Sequence, residues 1–69
     1  MMDEDRLKRM REEYAELFER ANRLRQFIDE AEPGSIRGFD LLLAQLNAMQ
    51  AYANILRARI RFEEAAREH

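Results

Sequence analysis

Gln45, Tyr52 and Arg59 recur at intervals of seven within the stretch LLLAQLNAMQAYANILRARI, positions 41–60. A carboxamide can read the edge of a base or a ribose hydroxyl. A phenol ring can stack on a nucleobase, which is sequence-tolerant because every base has a π-face. A guanidinium can hold a phosphate through two parallel hydrogen bonds. Together these are the side chains a nucleotide pocket at a subunit junction needs. The same three types also serve a helix seam. A polar residue there fixes register, a tyrosine buries its ring while its hydroxyl stays wet, and an arginine lays its stem on apolar surface or pairs with a glutamate of the facing helix. The spacing is compatible with both readings.

Other cations cluster around this line. Arg57, Arg59 and Arg61 fall within the pentapeptide RARIR, and Arg20, Arg23 and Arg25 form a second basic zone. The first group is expected to offset a helix C-terminal dipole, with Arg57 and Arg61 pairing with Glu63 or Glu64. The second lies near a turn that carries Ser35 and Arg37. In an antiparallel hairpin the two zones make separate patches, one at each end.

Catalytic chemistry finds no foothold. The chain has no cysteine and one histidine, His69, so no thiolate or histidine cluster can bind a metal or activate a nucleophile. The acidic pairs at 12–13 and 63–64 point to different helix faces and read as solvated charge. No glycine-rich phosphate loop is present, and Ser35–Gly38 is too short to cradle phosphates. No enzyme activity and no cofactor are expected. With 12 basic against 14 acidic residues the net charge is −2, which does not suit a DNA binder, though a small anion needs only local positive charge. No apolar run reaches the ~18 residues of a membrane span. The opening MMDEDRLKRM is charged and lacks the apolar core of a signal peptide, so a cytosolic protein is expected.

Two long helices must position these residues. Leu7, Met10, Tyr14, Leu17, Ala21, Leu24 and Ile28 alternate spacings of three and four, an unbroken heptad seam that predicts a helix from about 3 to about 31. Phe18 and Phe27 lie beside that seam and widen it. Asp3, Glu4 and Asp5 suit the first turn of such a helix. Glu32-Pro33-Gly34-Ser35 is the strong break. A second helix, from about 40 to about 67 with Ser35 or Asp40 as its cap, carries the matching seam Leu42, Leu46, Met49, Ala53, Leu56 and Ile60. The short connection makes the helices antiparallel neighbours. The fold class is therefore all-α, one helical hairpin spanning residues 1–69.

A further apolar row, Leu41, Ala48, Tyr52, Ile55 and Phe62, lies roughly 60–120° round the second helix from its seam. The apolar sector then covers about 200°, twice what one partner helix hides. A chain this short buries little core and has no disulfide to staple it. The hairpin is expected to assemble into a compact homo-oligomeric helical bundle through the second helix. The other use of such a row is as the grip of a protein-interaction module, an inhibitor or adaptor with no small ligand.

The order of residues carries a resemblance. Glu13 to Ile28 reads E-Y-x-E-L-x-x-R-x-x-x-L-x-x-F-I, and Leu41 to Ile60 reads L-L-x-x-Q-L-x-A-M-x-x-Y-x-x-I-L-x-x-R-I. Over about positions 11–62 the chain resembles the phage anti-CBASS cyclic-oligonucleotide sponges and their crAss-like phage relatives. The resemblance implies a helical homo-oligomer, a hexamer, acting in the host cytoplasm. It would bind cyclic dinucleotides or trinucleotides in pockets between protomers and sequester them without cleavage, so that CBASS immune signalling stays silent. It also implies that Tyr14 stacks on a base and that Arg59 contacts phosphate or base. In the connecting loop, where the sponges tend to use a lysine and a threonine or serine for phosphate, this chain offers Ser35 and Arg37.

Overall fold

In a computed structural model, residues 2–32 and 34–67 are described, with only the backbone given for Met2 and Asp3. Pro33, which the sequence marks as the helix breaker, and His69 lie outside the described residues, as does the Asp3 side chain. Helix α1 runs Met2–Glu30 and helix α2 runs Phe39–Arg67, and the two pack as a hairpin. The molecule is a rod of 53 × 14 × 14 Å, as expected when helices of this length, each about 43 Å long, lie side by side.

The two heptad seams face one another. Leu7 and Met10 meet Leu56 and Ile60, with Tyr14 packed against them, and Ala21 and Ile28 meet Leu46, flanked by Leu24, Leu42 and Met49. Among the described residues only Leu56 is wholly enclosed, because a two-helix layer buries one stripe per helix and nothing behind it. The second apolar row stays outside: Leu41 is 76% exposed, Ile55 56% and Phe62 73%.

The turn is built differently from the sequence expectation. Ser35 does not cap α2. Its backbone N–H and its hydroxyl both donate to the Glu32 carbonyl, at 3.0 and 2.6 Å. Nor does Asp40 cap; it already lies in the first turn of α2, where its charge suits the dipole. The residue before the helix is Gly38, whose carbonyl accepts from the N–H groups of Leu41 and Leu42. Gly38 has φ +76° and Gly34 φ +82°, a left-handed backbone that side-chain-bearing residues resist.

Candidate functional site

A groove of about 320 Å³ runs along one flank of the hairpin. Tyr14, Phe18, Ala21, Asn22 and Arg25 of α1 form one wall, and Gln50, Ala53, Asn54 and Arg57 of α2 form the other. Each set lies at helical spacings of three and four, so each is a single stripe beside its seam. Antiparallel packing lays the stripes alongside one another. Since α1 around Leu7–Tyr14 meets α2 around Leu56–Ile60, and Ala21–Ile28 meets Leu46, the turn holding Tyr14 and Phe18 lies level with Gln50 and Asn54.

The groove has an aromatic step, amides and cations, and no acid lines it. The Tyr14 and Phe18 rings have centroids 5.9 Å apart and are tilted by 33°, within the range of a favourable aromatic pair, and Phe18 is about half exposed. Arg57 stands at the Tyr14 end. Arg25 stands at the other, about 16 Å along the helix from Tyr14. Among the described residues neither guanidinium forms an ion pair, and none of Asn22, Gln50 and Asn54 forms a side-chain hydrogen bond. The chain is acidic overall, yet this groove is locally positive.

Nearby arginines are occupied elsewhere. Arg20 pairs with Glu16 at 3.7 Å and Arg23 with Glu19, both one helical turn away. The pairing expected between Arg57 or Arg61 and Glu63 or Glu64 does not form. Arg6 reaches Glu63 at 3.3 Å and Arg11 reaches Glu64 at 2.6 Å, because the hairpin brings the start of α1 against the end of α2. The two basic zones stay apart along the rod, and one groove runs between Arg57 of the first and Arg25 of the second.

Gln45, Tyr52 and Arg59 occupy the opposite flank of α2, roughly 140° round the helix from the groove wall. The Tyr52 hydroxyl donates to the Glu13 carboxylate across the hairpin. That bond, with some burial, holds the Tyr52 phenol above its ordinary pKa, while the Arg59 guanidinium pulls in the other direction. Arg59 borders a shallow apolar depression of about 440 Å³ with Ile55 and Phe62. Gln45 is exposed. Ser35 lines a hollow at the turn beside Phe27 and Ile36, and Arg37 is exposed on the same turn. About 27 Å of helix separates Phe39, next to that turn, from Arg57. Within one chain, Tyr14 and Arg57 therefore line one groove, Tyr52 and Arg59 share the other flank, and Ser35 and Arg37 join neither group.

Sequence reasoning passed over Asn22, Gln50 and Asn54, and treated Phe18 and Arg25 only as seam-widening and basic-zone residues. A signal was present. From the seam residue Tyr14, Phe18, Asn22 and Arg25 continue at helical spacing along one side of the α1 seam, as Gln50, Asn54 and Arg57 do beside that of α2. Among the described residues no group of His, Cys, Asp or Glu could hold a metal ion, and no helix is long and apolar enough to cross a membrane.

A family model described as Sequestin matches residues 4–62, most of the chain, including both groove walls. No curated protein and no solved structure matches.

Proposed function

The chain belongs to the Sequestin family, a name that denotes sequestration, and from that premise we propose that it is a phage anti-defence sponge for cyclic oligonucleotides. It binds cyclic dinucleotides or trinucleotides and holds them without cleavage, so that CBASS-type signalling is starved of its messenger. The observation that carries this reading is one acid-free groove in which the Tyr14–Phe18 aromatic step lies between two guanidiniums that have no carboxylate partner among the described residues. Stacked bases and charge-assisted phosphate contacts are the two forces that hold nucleotides, and both sources lie here together. Nanomolar retention requires about 12 kcal/mol.

The groove of one chain is open on its outer side, and a second copy is its proposed cover. The hairpin exposes 5775 Å². A compact folded chain of this mass exposes about 4,600 Å² by the usual size scaling, so some 1,200 Å² of surface remains for burial. That exceeds the roughly 800 Å² that each partner gives to an interface of standard size. Assembly through the exposed row of α2 gives a closed homo-oligomer, a hexamer in this reading, and pre-organises the sites at its junctions. Gln45, Tyr52 and Arg59 of one copy, and Ser35 and Arg37 of another, then have a route to the ligand that one chain alone does not offer.

The test is thermal unfolding with a panel of cyclic dinucleotides and trinucleotides, followed by recovery of the ligand after heating. At a hundredfold excess over the dissociation constant, binding stabilises by about 2.7 kcal/mol, a rise of many degrees for a chain this small. The expected outcome is such a rise with at least one ligand, recovered chemically intact. Absence of any shift across the panel, or recovery of linear product, contradicts the proposal.

The exposed row also supports a second reading, an inhibitor or adaptor that grips another protein through Leu41, Ile55 and Phe62. A monomer or loose dimer at micromolar concentration favours that reading; a closed oligomer favours the sponge.

A further inference from the structure

Two amides face two rings. On α1, Tyr14 and Phe18 are one turn apart; on α2, Gln50 and Asn54 are one turn apart, and the hairpin register sets the pairs level across the groove. Neither amide is engaged by a side-chain hydrogen bond among the described residues. Asn22 lies a turn further toward Arg25, away from Tyr14.

We infer that Gln50 and Asn54 are the base-reading residues of this groove and give it a preference for adenine. This rests on the reading of the groove as a cyclic oligonucleotide site. A base stacked on Tyr14 or Phe18 presents its edge across the groove, toward α2. A carboxamide matches adenine in two bonds: its NH₂ donates to N7, and its carbonyl oxygen accepts from the exocyclic N6 amino group. Guanine presents N7 and O6, both acceptors, so the amide makes one bond and sets its own oxygen against O6. A pyrimidine has no N7 and a smaller face to stack. Two amides at helical spacing read two bases, while Arg25 and Arg57 supply sequence-blind attraction to phosphate.

The experiment is calorimetric titration of the full chain with the cyclic dinucleotides of adenine, guanine and uracil, for the native protein and for Gln50→Met and Asn54→Leu. Both substitutions keep size and helical character at the surface of α2, and a circular dichroism melt of each variant verifies the fold. Asn54→Asp serves as a second variant that keeps shape and removes the donor to N7. The expected result is at least a tenfold preference of the native protein for the adenine ligand over guanine. Each single variant lowers that preference, and the variant carrying both Gln50→Met and Asn54→Leu brings it toward unity, with residual binding of both ligands. Binding with no adenine preference, or with a preference the variants leave intact, overturns the inference alone. No binding of any of the three ligands or of cyclic trinucleotides overturns the sponge reading and the base-reading with it.

Discussion

Tyr52 and Tyr14 show how differently one residue type is used on the two flanks of the rod. Tyr52 spends its hydroxyl on Glu13, a bond that ties α2 to α1 and favours the neutral phenol. Because the folded-state pKa is raised, the stabilising contribution is fully present below the unfolded value of about 10 and is lost as pH rises through the folded value. Spectrophotometric titration is expected to find one tyrosine ionising above the ordinary range, and Glu13→Gln to bring it back. Tyr14 makes no comparable hydrogen bond among the described residues, and its ring borders the groove. Tyr14→Ala is expected to weaken cyclic nucleotide binding about tenfold or more, the usual loss on removing a stacking ring. Arg57→Ala is expected to do likewise and to flatten the salt dependence of binding, whereas affinity unchanged in both variants would count against the groove as the site. At this scale the sequence revealed residue types better than places. The interval of seven links Gln45, Tyr52 and Arg59 because they share one line on one helix. The groove combines stripes from two helices, and neither stripe by itself contains the register that joins them.

The helices themselves were easy to read. A strict three–four alternation on both segments leaves one solution, and every residue of both seams is buried or half-buried in the hairpin. The turn was harder: the sequence offers Ser35 or Asp40 as the cap, and neither is used, because the choice depends on a backbone conformation that residue types alone do not determine. Gly38 wins by adopting φ +76° at the point where α2 begins. An added Cβ there would lie 3.9 Å from the Leu41 side chain, so space is not the obstacle; the left-handed backbone is. Gly38→Ala is expected to destabilise the protein by about 1–2 kcal/mol through that strain, measured by chemical denaturation. Leu56→Ala, at a fully enclosed side chain, is expected to cost about 2–5 kcal/mol. If Leu56→Ala proved the milder of the two, the hairpin seam would not be the main source of stability.

A rod with one buried seam has little to hold it together alone. The exposed row of α2, with Leu41, Ile55 and Phe62, lies on one flank, and the groove bordered by Arg25, Arg57 and three amides lies on the other. That arrangement suits copies in which the apolar flank of one covers the positive groove of the next. Phe62→Glu and Ile55→Glu are expected to lower the mass seen by sedimentation at micromolar concentration, because a buried charge without a partner opposes the contact. That a second apolar row would stay exposed on α2 was legible in its wide apolar sector. The number of copies was not, since that depends on the angle at which two rods cross. Native mass spectrometry of the full chain with a cyclic dinucleotide or trinucleotide tests the whole account most directly. A single closed oligomer carrying intact ligands in a fixed ratio to its copies is the predicted result; a bare monomer at micromolar concentration, with no ligand retained, would contradict it.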